Sequence, residues 1–201
     1  MPKKFSQLTI SVLICFVISC SSPIKKPEQQ NMQTIKEIAF RKFISHFKTI
    51  ALPFTISTAE DIQGKYYIIP QNSIDTAFET YSFICYGMLP DTSDFFKLLF
   101  LAPADDYIPV LATYDKKGNR ISNENIDVGH GGAGPCYTCT EMEIIKKDQT
   151  IFSIDSITEC KLDSMNNPIP NTTRKYVAYK NGKIYADGKI ILTPEIEEDI
   201  K

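Results

Sequence analysis

Apolar and polar positions fall into three regimes along this chain. Leu8 to Ser19 (LTISVLICFVIS) is a continuous apolar run. Between Thr34 and Thr49, Ile35, Ile38, Phe43 and Phe47 recur at helical spacing, with Lys36, Glu37, Arg41 and Lys42 elsewhere. That spacing predicts an amphipathic helix. His46 falls in its last turn, where an imidazole suits the negative end of the helix dipole. Leu52-Pro53-Phe54 ends the helix, because the residue before a proline avoids the α region.

The third regime is short and strand-like. Lys65–Ile69, Ser82–Tyr86, Phe95–Leu101 and Ile108–Tyr114 are rich in aromatic and β-branched residues and bounded by Pro, Gly or Asp. Three hairpins follow. Asp115-Lys116-Lys117-Gly118-Asn119 joins Val110–Tyr114 to Arg120–Ser122, and Lys147-Asp148-Gln149 joins Glu141–Lys146 to Thr150–Ile157. Asn181-Gly182, a strong hairpin dipeptide, is read as the turn between Lys175–Lys180 and Lys183–Ala186. The expected fold is α+β: an N-terminal amphipathic helix packed on a bent antiparallel β-meander, either a sheet or a partly open barrel. The folded domain is expected over residues 34–193, followed by a frayed acidic tail, 194–201.

Composition narrows the class. With 201 residues, 43% hydrophobic and 23% charged, the chain is that of a folded protein with a sizeable core. The formal charge of -2 lacks the basic field that nucleic-acid binders use, so no nucleic-acid partner is expected. No run reaches the roughly 18 apolar residues of a membrane span.

The N-terminus carries more information. Lys3 and Lys4 precede the apolar run, which ends in Val17-Ile18-Ser19-Cys20 and is followed by Ser21-Ser22. The segment has the build of a signal peptide. It resembles the lipobox of bacterial lipoproteins: two aliphatic residues, a small residue, then cysteine. The resemblance covers residues 1–22 and implies diacylglycerol on the Cys20 thiol, cleavage after Ser19 and acylation of the new amino group. Ser21, where inner-membrane lipoproteins carry Asp, implies an outer-membrane destination in the cell envelope. The partner the resemblance implies is the membrane, through the lipid; an envelope protein is the partner expected of a binding or scaffolding module. Residues 20–33 (Ser21–Gln33 is SSPIKKPEQQNMQ) then read as a flexible tether. Removing residues 1–19 takes away two lysines and no acid, so the mature chain has a net charge of -4.

Beyond Cys15 in the signal and Cys20, four cysteines remain: Cys85, Cys136, Cys139 and Cys160. An even number in an exported chain points to two disulfides. Cys139 and Cys160 lie on the two arms of the second hairpin, so the pairs Cys139–Cys160 and Cys85–Cys136 are expected. Cys136-Tyr137-Thr138-Cys139 also reads as a C-x-x-C pair for thiol–disulfide exchange. Such a pair works best at a helix start, whereas Thr140–Lys146 reads as strand. A third reading makes His130, Cys136, Cys139 and Cys160 zinc ligands. In an oxidising compartment thiols pair with one another, so no metal is expected there.

Gly129-His130-Gly131-Gly132-Ala133-Gly134 matches G-x-G-x-x-G in letters. A dinucleotide site needs that turn between a strand and a helix, and no helix pattern follows; no nucleotide cofactor is expected. Glu141 and Glu143 would share one strand face and Asp105-Asp106 a turn, all read as solvated. No catalytic constellation emerges. The expectation is a non-catalytic binding or scaffolding module, with a thiol–disulfide oxidoreductase using Cys136 and Cys139 as the alternative.

Overall fold

The computed structural model describes residues 27–56, 66–69, 83–104 and 107–200. In chain order the elements are α1 (Pro27–Ile44), β1 (Phe54–Ile56), β2 (Tyr67–Ile68), β3 (Ile84–Met88), β4 (Phe96–Ala102), β5 (Ile108–Tyr114) and β6 (Arg120–Asn125). They continue with β7 (Ala133–Gly134), β8 (Tyr137–Ile145), β9 (Thr150–Glu159), β10 (Arg174–Ile184), β11 (Ile190–Leu192) and β12 (Ile196–Asp199). Among the described residues the fold is α+β, one helix and antiparallel sheets, as the pattern predicts. No closed barrel forms among the described residues.

A five-stranded sheet follows chain order, β2-β3-β4-β5-β6. A seven-stranded sheet runs β1-β8-β9-β10-β11, with β7 beside β8 and β12 beside β10. Side chains alternate between two covered faces along β4. Leu98 and Phe100 face the helix, while Leu99 and Leu101 face the second sheet, and all four are buried. A strand covered on both faces needs no polar alternation, which is why β4 reads FKLLFLA.

The helix side of this sheet is aromatic. Phe40 lies 5.4 Å from Tyr114 and Phe47 lies 5.0 Å from Phe100, centroid to centroid. Here the expected helix face needs correction. Ile35 and Ile38 are exposed; Phe40 on the helix and Phe47 just past its end are buried, with Phe43 half-buried between them. The helix also begins at Pro27, inside the segment read as tether. His46 stacks flat on Tyr67 at 3.8 Å, just beyond the helix end.

Two hairpin turns form where they were read. Asp115 Oδ1 accepts from the amides of Lys117 and Asn119, both at 2.8 Å, and closes the β5–β6 turn. Lys146 and Thr150 close the β8–β9 turn. The third is displaced: β10 runs straight through Asn181-Gly182, and the chain turns instead at Asp187-Gly188, with Gly188 at φ 84. Gly182 is flanked by Ile151 on β9 and Leu192 on β11. A Cβ there would overlap Leu192 Cδ2, so the glycine serves a close strand approach instead of a turn.

The acidic tail is likewise ordered. Glu197 and Asp199 of β12 pair with Arg174 of β10 at 3.2 and 2.8 Å, while the backbone registers Tyr176 on Asp199. The Asp187-Gly188 turn joins the two sheets, since Thr113 Oγ1 donates to the Gly188 carbonyl at 2.5 Å.

Candidate functional site

The strands β8, β9 and β10 bring their inward faces together at residues two apart. Ile145, Ile151 and Ile184 fill the apolar end of that face and belong to the inter-sheet core. Further along, the same face carries Glu143 opposite Ser153, then Glu141 opposite Asp155, then Cys139 opposite Ile157. Glu143 and Asp155 are fully buried and Ser153 nearly so. The expectation that Glu141 and Glu143 share a face holds, but the face points inward. Asp105-Asp106 lies outside the described residues.

The segment Ile126 to Gly134 crosses over this polar patch. It is held by Ser153 Oγ donating to the Ile126 carbonyl and by Tyr137 Oη donating to the His130 carbonyl. Lys180 Nζ donates to the carbonyls of Asp127 and Val128 at 3.3 and 2.9 Å. The His130 amide donates to Asp155 Oδ2 at 3.0 Å, and the His130 ring meets Glu195 at 2.7 Å. The glycine run is therefore a cover over carboxylates, and it leads into β7. Gly131 sits so close that a Cβ would lie 2.7 Å from Glu141 Oε1. Gly129 and Gly132 adopt φ 105 and 108, a region that other residues avoid.

Between the cover and the Tyr107–Ile108 segment opens a recess of about 240 Å³, lined also by Asp127, Gly129 and Glu141. The electrostatics of the acidic groups beneath the cover are unusual. Burial, reinforced by Glu141, Asp155 and Asp127, pushes the Glu143 carboxyl up to about 8. Burial also raises Asp155 and Asp127, the latter partly offset by Lys180. Among the described residues no donor reaches either oxygen of Glu143 or Asp155 Oδ1. Buried polar atoms without partners are rare and ask for a physical reason.

The cysteines depart from the expected pairing. Cys136 and Cys160 form a disulfide, with Cα atoms 5.1 Å apart, while Cys85 and Cys139 remain thiols. The turn centred on Asp148 sets the register, pairing Ile145 with Ile151 and, six residues on, Cys139 with Ile157. Cys139 therefore cannot face Cys160, and Cys136 does. Cys85 sits in β3, on the helix side of the other sheet, where burial pushes its thiol up to about 12. The expected Cys85–Cys136 pair does not form, because Cys136 is bonded to Cys160. With two of its members bonded to each other, the set His130, Cys136, Cys139 and Cys160 is not available as four zinc ligands. Cys136 lies in the turn before β8 and is bonded to Cys160, whereas Cys139 lies within β8 opposite Ile157, so the C-x-x-C pair is not joined. Cys20 lies outside the described residues.

Asp155 and Asp127 escaped the sequence reading. The trace of Asp155 is an inverted pattern on β9, where Ser153 and Asp155 point inward while Phe152 and Ile154 point outward. Compared with protein families, curated proteins and solved structures, the chain has no match.

Proposed function

We propose that the protein is a lipid-anchored component of the bacterial cell envelope whose domain is a non-catalytic binding module. Its binding end is the recess beneath the glycine cover. The observation that carries the binding reading is the built recess itself: a glycine cover, pinned by Lys180, Tyr137 and Ser153, over buried carboxylates. The anchor rests on Val17-Ile18-Ser19-Cys20. The Cys136–Cys160 bond supports an oxidising compartment outside the cytosol. Two or three acyl chains on one residue hold a protein far more firmly than a single chain does. The outer membrane is the proposed location, because Ser21 follows the cysteine.

The test is mass spectrometry, without reduction, of the full chain made in a bacterial host and fractionated. The expected result is a membrane-bound chain beginning at acylated Cys20, with Cys136 linked to Cys160 and Cys139 open to alkylation. An intact precursor with unmodified Cys20 defeats the anchor. A Cys136–Cys139 bridge, with turnover of a disulfide substrate, would replace the binding module with a thiol–disulfide oxidoreductase.

A further inference from the structure

We infer that the cluster beneath the glycine cover, which borders the recess through Glu141, is a site for a divalent transition metal of the zinc class, held by Cys139 Sγ and one carboxylate oxygen each from Glu141 and Asp155. The inference rests on reading the domain as a binding module and names its ligand. The three donor atoms lie within 4.8 Å of one another. They converge because Glu141 and Asp155 are direct cross-strand partners and Cys139 is one pleat further along the same face. Donors around a tetrahedral zinc, at bond lengths of 2.0–2.3 Å, stand about 3.5 Å apart. The set therefore needs a contraction of about an ångström, within the reach of side-chain rotation.

Independent observations point to a cation here. Asp155 is fully buried, and its Oδ2 is held by the His130 amide while Oδ1 has no described partner. Glu143 lies behind it, fully buried with both oxygens in the same condition. Folding has thus gathered four acidic groups where water cannot solvate them all, and Lys180 is committed to backbone carbonyls. A dication answers that charge. The thiolate selects its type, because magnesium and calcium prefer all-oxygen shells whereas zinc accepts sulfur and carboxylate together. Gly131 gives the Glu141 carboxylate room beneath the cover, and the recess gives the ion a way in. A second group, His130, Glu195 and Glu197, is more exposed, and the His130–Glu195 contact at 2.7 Å already accounts for it.

The experiment uses the full chain in detergent, with the Cys136–Cys160 bridge intact, and cobalt(II) as the probe. The expected result is one cobalt per chain with a thiolate-to-cobalt charge-transfer band, displaced by zinc. Cys139→Ser should abolish the band, and Glu141→Gln or Asp155→Asn should weaken cobalt binding at least tenfold. Cys85→Ser and Glu195→Gln should leave it unchanged. In the unmutated protein zinc should also slow alkylation of Cys139, a readout that needs no variant to fold. Absence of stoichiometric uptake, or a band that survives Cys139→Ser, overturns the site. Failure of cobalt uptake by a chain acylated on Cys20 removes the metal but leaves the anchored module. Cobalt bound by an unacylated chain does the reverse.

Discussion

The amide of Cys160 donates to the carbonyl of Cys136 at 2.9 Å, so the disulfide between them adds one covalent rung to the β8–β9 ladder. The rung stands beside the inward-facing Cys139 and stiffens the open end of the hairpin, from which the metal-binding face begins. The bond spans 24 residues of sequence, most of them already held by hairpin pairing.

Replacing Cys136 and Cys160 together by alanine should lower stability by about 3 kcal/mol, the chain-entropy value for a loop of this size. Each single alanine variant should lose about as much, because either one removes the same bond. Urea unfolding of the three variants checks this. Non-reducing peptide mapping that linked Cys139 to Cys160 would contradict the register itself.

Glu143 should make stability depend on pH. Its carboxyl is raised from 4.5 to about 8 in the folded chain, so folding favours the protonated form. The stabilisation is complete below the unfolded value and declines as pH rises through 8. In metal-free protein the unfolding free energy, measured by urea titration, should therefore fall between pH 5 and pH 8.5 by an amount on the order of a few kcal/mol. Glu143→Gln should flatten that slope. An unchanged slope in the variant places the titration elsewhere.

Gly182→Ala should cost about 1–3 kcal/mol, because the added methyl overlaps Leu192 Cδ2 and crowds the Ile191 carbonyl. Adding Leu192→Ala should recover part of the loss, giving a measurable coupling in a double-mutant cycle. Independent losses from the two changes would mean that the strands do not meet there.

The two faces of α1 should respond differently. Phe40→Ala removes a fully buried ring packed on Tyr114 and Phe96 and should cost about 3–5 kcal/mol. Ile38→Ser, on the exposed face, should stay within about 0.5 kcal/mol. Thermal unfolding of both variants decides which helix face is buried.

Lys180→Met keeps much of the side-chain length but removes the ammonium that bonds the Asp127 and Val128 carbonyls. The glycine cover should loosen, seen as faster amide exchange at residues 127–130, with the β8–β9 amides unchanged. Equal acceleration in both places would indicate general destabilisation instead.

How much of this was legible depended on the range of the interaction involved. The Asp115–Asn119 turn was readable because one carboxylate satisfies amides two and four residues away. The Lys147–Gln149 turn was readable for the same reason of locality. Asn181-Gly182 carried an equally strong local signal, yet the fold runs a strand through it. Pairing with β9 on one side and β11 on the other outweighs a preference of a few tenths of a kcal/mol per turn residue. The helix was legible as a helix, but its buried face was not. Ile38 and Phe40 are equally apolar in sequence, and only the aromatic surface of β4 and β5 distinguishes them.

The candidate site shows the same division. A period of two, by itself, determined that Cys139, Glu141 and Glu143 share a face, and that Ser153 and Asp155 share another. It did not determine which faces meet or whether they turn inward. That was decided by the tertiary structure, which closes the β8–β9 register on Asp148, lays the glycine cover over both strands and places the second sheet behind them. Side-chain alternation is a property of one strand, whereas burial and charge convergence are properties of how strands pack. The sequence could therefore name the acidic groups and cysteines, and only the packing could bring Cys139, Glu141 and Asp155 within 4.8 Å of one another.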